Sequence, residues 1–171
     1  MTPVTHDQFG TSSIRGDANP SPQLPRTITV GQYFLHLAVS ENSPPKILRL
    51  LADNADIDQP NIRGDTPLHL AVRLKANECA KILLQAKANP STPDKFSLLT
   101  PLMTAAKIGN STIIPHLIDA KADPHKKNGQ GKTALDLAIN NHQMQTSDVL
   151  RTLVPGLNIR KPKSAMCCTI L

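Results

Sequence analysis

Aromatic side chains are nearly missing from this 171-residue chain, which has no tryptophan, one tyrosine and three phenylalanines. Its core must come from Leu, Ile, Val and Ala, which suits small helices stacked at regular spacing. Cysteines number three, two of them adjacent at Cys167 and Cys168. That excludes the disulfide framework of a small secreted domain. Acidic residues are outnumbered, thirteen against nineteen Lys and Arg, for a net charge of +6 and a pI near 9.4. Such a balance favours acidic partners, whether anionic lipid, nucleic acid or protein, without choosing among them. No apolar run approaches the ~20 residues of a membrane-crossing helix, and the N-terminus lacks the apolar centre of a signal peptide. A single soluble domain in a reducing compartment is expected.

What is present is a period. Leu35-His36-Leu37-Ala38-Val39 returns letter for letter as Leu68-His69-Leu70-Ala71-Val72. Degenerate copies follow at Leu102-Met103-Thr104-Ala105-Ala106 and Leu135-Asp136-Leu137-Ala138-Ile139, so the steps are 33, 34 and 33 residues. A fixed spacing in this range marks a stacked-repeat protein. It organises the chain into an N-terminal segment (1–27), a repeat domain (28–154; units about 29–60, 61–93, 94–127 and 128–154) and a basic tail (155–171). The segment around Asn19-Pro20-Ser21-Pro22 is too poor in apolar residues to pack alone.

The second unit reads most clearly. Gly64-Asp65-Thr66-Pro67 is a turn entering a helix, with Thr66 as N-cap and Pro67 at the first helical position. Leu68, Ala71 and Val72 share one face at helical spacing. A second helix follows from Glu78 to Gln85, with Ile82 and Leu83 turned inward. Gly64, Thr66, Pro67, Leu68, His69 and Ala71, then Leu83, Leu84 and Ala88, resemble the G-x-T-P-L-H-x-A and L-L-x-x-G-A pattern of ankyrin repeats. The first unit keeps Gly31, Leu35, His36, Ala38, Leu50, Leu51 and Ala55, with Tyr33-Phe34 in place of Thr-Pro. The third keeps Thr100-Pro101-Leu102, Ala105, Gly109, Leu117 and Ala122. The fourth keeps Gly131, Thr133, Leu135 and Ala138, and its second helix, near Asp148 to Leu153, is spaced irregularly. The resemblance covers about three quarters of the chain. It implies an all-α solenoid of about four helix-turn-helix repeats joined by β-hairpin-like turns.

Two departures from the family pattern carry structural expectations. The glycine that usually follows the second helix is replaced by Asn54, Lys87 and Lys121, where a left-handed backbone is preferred. The turn Pro93–Leu99 holds one residue more than its counterparts, so the third fingertip should be longer.

Several chemically suggestive motifs fall on repeat positions. Gly129-Gln130-Gly131-Lys132-Thr133 ends like a phosphate-binding loop. That loop needs a glycine where Lys126 stands and a buried strand before it, and Pro124–Asn128 is no such strand. His36 and His69 recur without Cys, Asp or Glu partners at metal-ligand spacing, and the family resemblance implies a hydrogen-bonded structural role. Cys79 reads as a small buried side chain. Asn110-Ser111-Thr112 matches a glycosylation acceptor that stays idle without a secretion signal. No catalytic arrangement, metal site or cofactor is expected.

The end of the chain differs. Cys168-Thr169-Ile170-Leu171 fits a prenylation signal, and a final Leu favours geranylgeranyl transfer. Pro155 and Gly156 detach this tail and Lys161-Pro162-Lys163 keeps it extended. Arg160, Lys161 and Lys163 would add attraction to an anionic membrane, and Cys167 is a candidate for palmitate. The enzyme partner implied is a eukaryotic geranylgeranyltransferase type I. The chain then belongs on the cytoplasmic face of a eukaryotic membrane, and the combination resembles prenylated ankyrin-repeat effectors of intracellular bacteria.

Ankyrin domains usually bind proteins through fingertips and first helices along a concave face. By position, the exposed candidates are Ile62, Arg63, Asp65, Arg73 and Leu74 in the second unit. They are Phe96, Ser97, Leu99, Lys107 and Ile108 in the third, and Gln130, Lys132, Asn140 and Asn141 in the fourth. Phe96 is a candidate anchor on a lengthened turn, and Arg63, Arg73, Lys107 and Lys132 would suit an acidic ligand. A non-enzymatic adaptor is the leading expectation. Leu24-Pro25, Ile28 and Pro45-Lys46-Ile47-Leu48-Arg49 faintly resemble an F-box of a ubiquitin-ligase receptor, at too long a spacing. A soluble binding or inhibitory protein with an unmodified tail is the other alternative. Nucleic-acid binding rests on charge alone, without interleaved aromatics.

Overall fold

A computed structural model describes residues 30–156, with side chains from Phe34 onward. The Asn19–Pro22 stretch and the Arg160–Leu171 tail lie outside the described residues. Eight helices occur in pairs among the described residues: α1 (Val30–Ser40) and α2 (Pro44–Ala52), α3 (Pro67–Arg73) and α4 (Asn77–Gln85), α5 (Pro101–Ile108) and α6 (Ile114–Asp119), and α7 (Ala134–Asn140) and α8 (Met144–Leu153). No strand occurs among the described residues. Helices α1, α3, α5 and α7 contact one another in order and form an inner layer. Helices α2, α4, α6 and α8 form the outer one. The core between them is aliphatic, with Leu35, Leu68, Leu83, Leu102, Leu117 and Leu150 wholly buried. Each lies at the repeat period, so the aromatic poverty of the sequence is met by leucine layers.

Helix starts follow the expected chemistry. Thr66 and Thr100 cap α3 and α5 by accepting from His69 N–H and Met103 N–H, with Pro67 and Pro101 as first helical residues. Thr133 does the same for α7 through Asp136 N–H. The first unit lacks this signal, since Phe34 stands where Pro67 stands. Without a proline to set the boundary, α1 starts four residues upstream of that position, at Val30. Helix α8 also starts earlier than expected, at Met144. Its first turns carry polar Gln145, Thr146 and Ser147, which hide the helix from a hydrophobic reading, yet Thr146 and Ser147 are buried.

Helix ends share one device. After α4, the Ala88 N–H donates to Leu83 C=O and the Lys87 N–H to Leu84 C=O, the paired closure of a Schellman motif. The same pairing closes α2 through Asn54 and Ala55, and α6 through Lys121 and Ala122. The residue at the bend is left-handed each time: φ is 58° at Asn54, 70° at Lys87 and 68° at Lys121, as the missing glycines imply. A lysine there costs about 1–2 kcal/mol, partly offset in any comparison by the extra unfolded-state entropy of glycine. Both lysines are exposed. Lys87→Gly and Lys121→Gly should therefore each stabilise the fold by about 0.5–1 kcal/mol. Because the two bends share no hydrogen-bond partner, the gains should add in the double variant, as read from urea-denaturation midpoints at unchanged slope.

Candidate functional site: fingertips and groove

Each fingertip is a short turn organised by its first residue. In the second unit the Asn61 N–H donates to Asp65 C=O, and the Asn61 side-chain oxygen accepts from Arg63 N–H and Asp65 N–H. Asn128 repeats this with Gln130 and Lys132 in the fourth unit. In the third, Asp94 N–H donates to Leu99 C=O, one residue further, and the Asp94 carboxylate accepts from Ser97 N–H and Leu99 N–H. The extra residue expected from the sequence is accommodated at Leu98, whose φ is +52°. Gly64 and Gly131 hold the left-handed positions of the other two tips, at φ 81° and 72°. At Gly64 a Cβ would lie 2.5 Å from the Lys95 side chain and 2.7 Å from its backbone nitrogen, so tip three rests directly on tip two. Gly131 thus belongs to a fingertip, not to a phosphate loop.

The two recurrent histidines join neighbouring units. His36 Nε2 lies 2.9 Å from Asp65 C=O, and His69 Nε2 lies 3.0 Å from Leu99 C=O. His69 Nδ1 lies 3.3 Å from Thr66 N–H and 2.9 Å from the Thr66 hydroxyl. A backbone N–H can only donate, so Nδ1 is the acceptor and the ring proton sits on Nε2. That tautomer is neutral, and burial accordingly lowers the pKa of His69, against the opposing pull of the Leu99 carbonyl and Asp65. Cys79 is buried, 3.4 Å from the Asn42 side-chain oxygen, and burial pushes its thiol pKa up. Asn110 is also buried, its amide donating to Val72 C=O and Asn77 Oδ1. No group of three or more potential metal ligands occurs among the described residues.

Fingertips three and four and the inner helices α5 and α7 enclose a groove of about 470 Å³. It gathers Phe96, Ser97, Leu99 and Lys107 from the third unit and Gln130, Lys132, Asn140 and Asn141 from the fourth. These come from the candidate set, but four expectations need correction. Leu99 is buried, because its backbone closes the turn and its side chain enters the core, so it forms floor and not exposed surface. Asp65 is buried too, held by a 2.6 Å ion pair with Arg73. Arg73 is consequently engaged at home and is no free cation for a ligand. Ile108 is half-buried and does not line the groove. Ile62, Arg63 and Leu74 are exposed as expected, on the second unit and away from the groove. Three lining residues were not anticipated, Asn128, Gly129 and Leu137; nor was Leu98, which is exposed at the tip outside the groove lining. Leu137 carried a signal, being the second leucine of the fourth Leu-x-Leu-Ala copy. Leu98 carried none beyond the length of its turn.

Arg160, Lys161, Lys163, Cys167 and Cys168 lie outside the described residues. No helix among the described residues is long and apolar enough to cross a membrane.

Capped helix pairs, fingertip turns and histidine links between units define a stacked-repeat module of the kind that engages proteins. The chain belongs to the ankyrin-repeat family: one model of ankyrin repeats in three copies matches residues 14–94, and another, of many copies, matches 83–138. Similar proteins include glycerophosphocholine phosphodiesterase gde1 of Schizosaccharomyces pombe, 34% identical over 79% of this chain and 11% of the relative. Human Ankyrin repeat and SOCS box protein 11 is 35% identical over 72% of this chain and 38% of the relative. Human Neurogenic locus notch homolog protein 4 is 36% identical over 63% and 5%. The chain thus spans well under half the length of each of these relatives, and the likeness is one of ankyrin repeats.

Proposed function

We propose that this protein is a non-enzymatic adaptor: a four-unit ankyrin stack that captures a protein partner while a lipidated tail holds it on the cytoplasmic face of a eukaryotic membrane. The observation that carries the capture half is the groove between units three and four, with Phe96 exposed on a lengthened fingertip. The membrane half rests on the tail sequence, with geranylgeranyl on Cys168, palmitate on Cys167, and Arg160, Lys161 and Lys163 facing anionic headgroups. Delivery by an intracellular bacterium into a host cell fits the same tail. The F-box alternative is not favoured, because Pro45–Arg49 forms part of α2, the outer helix of the first repeat.

The test incubates the purified chain with geranylgeranyltransferase type I and its isoprenoid diphosphate, then measures intact mass. One added geranylgeranyl group is expected on the wild type and none on Cys168→Ser. An unchanged wild-type mass would overturn the membrane half and leave a soluble binding protein.

A further inference from the structure

The ligand chemistry of the groove follows from where its charges go. Among the described residues no acidic side chain lines the groove, and three carboxylates of the fingertips and inner helices are engaged locally. Asp65 pairs with Arg73, Asp94 accepts the N–H groups of its own turn, and Asp136 accepts from Thr133 N–H and hydroxyl. The cations are not. None of the four ion pairs among the described residues involves Lys107 or Lys132. Both line the groove, one on α5 and the other on fingertip four. The same lining includes the apolar Leu99 and Leu137 and the ring of Phe96, which is 79% exposed. A lone exposed aromatic beside leucines is covered by an apolar side chain better than by water. The side-chain amide of Asn140 stands at the α7 edge, where it can donate to and accept from a peptide backbone.

We propose that this groove binds an extended acidic peptide segment that seats one apolar side chain against Phe96, Leu99 and Leu137 while its carboxylates meet Lys107 and Lys132. The assignment rests on the protein-capture reading above and names its ligand class. An apolar seat flanked by two cations discriminates on both counts: a basic segment meets like charge, and an acidic segment without the apolar side chain leaves Phe96 uncovered. Carboxylates are favoured over nucleic-acid phosphates because, among the described residues, Phe96 alone of the aromatics lines the groove. Stacking successive bases needs several such rings.

The experiment uses the full chain as bait for a displayed library of random dodecapeptides, with Lys107→Glu/Lys132→Glu as the second bait. Lys107 is exposed and Lys132 half-exposed, so the reversal leaves the core untouched, which a thermal melt verifies. Wild-type bait is expected to enrich peptides rich in Asp and Glu around a Leu, Ile, Met or Phe. A synthetic winner should bind about tenfold more weakly to the reversed bait, and about tenfold more weakly to Phe96→Ala. Enrichment of neutral or basic peptides, equal affinity for both baits, or no enrichment overturns the proposal. So does displacement of the winner by an equally charged single-stranded oligonucleotide at lower concentration. To separate this from failure of the capture reading, proteins captured from eukaryotic cells are compared among wild type, the reversed groove and Ile62→Glu/Arg63→Glu. Capture that survives groove reversal but is lost with the Ile62 and Arg63 substitutions removes the groove assignment and keeps the adaptor.

Discussion

Replacing His69 by alanine should destabilise the protein by about 3 kcal/mol, a large share of the 5–15 kcal/mol that holds a typical domain together. The ring is buried and satisfies three groups at once: Thr66 N–H, the Thr66 hydroxyl and Leu99 C=O. Truncation strands a buried carbonyl and a buried N–H, each worth about 1–3 kcal/mol, and opens a cavity besides. Chemical denaturation measures the loss; a change below about 1 kcal/mol would mean that water replaces the ring. The same residue should make stability pH-dependent. Its folded pKa lies below 6.5, so below that pH the unfolded chain binds the proton more readily than the folded one. Its contribution is complete above about pH 6.5 and fades as pH falls toward the lowered folded value, with a slope of at most about 1.4 kcal/mol per pH unit. Denaturation midpoints of wild type and His69→Gln at pH 7.5 and 5.5 isolate it, because the wild type should lose more on acidification. Equal losses would contradict the neutral-ring assignment.

The second large effect concerns location. Cys168→Ser should move the protein from membrane to soluble fraction in eukaryotic cells without altering its melting temperature. An isoprenoid contributes about 0.8 kcal/mol for each buried CH₂, so its loss removes several orders of magnitude of partitioning. Arg160, Lys161 and Lys163 contribute about 1 kcal/mol each near anionic lipid. Replacing all three by glutamine should lower binding of the lipidated chain to phosphatidylserine vesicles by about 100-fold, and raised salt should mimic it. Retention of Cys168→Ser on membranes would show that the thiol is not the anchor.

The repeat architecture was legible because its signals are local and recur: Thr66-Pro67 and Thr100-Pro101 announce helix starts, and leucines at the period announce the core. Left-handed bends at Asn54, Lys87 and Lys121 were legible from the glycines they replace. The groove was legible only in outline. Asp65 and Arg73 read as surface charges because their pairing joins a fingertip to the end of a helix eight residues on, and spacing alone does not give that geometry. Leu99 read as exposed by its position at the end of the fingertip. The turn spends its extra residue at Leu98, which keeps Leu99 in the core. Helix α8 was half hidden, since its buried Thr146 and Ser147 carry no hydrophobic signature.

The histidine link is not repeated to the end of the stack. Met103 and Asp136 occupy the corresponding positions of units three and four. Unit three therefore has no imidazole at that position to reach the tip of unit four; there, Gly129 N–H donates to Ser97 C=O over 3.2 Å. In a solenoid whose cohesion is a sum of nearest-neighbour terms, the joints are unequal, and the groove spans the one that lacks the ring. A peptide lying across that joint touches both sides, so occupancy would brace the stack where its polar stitching is thinnest.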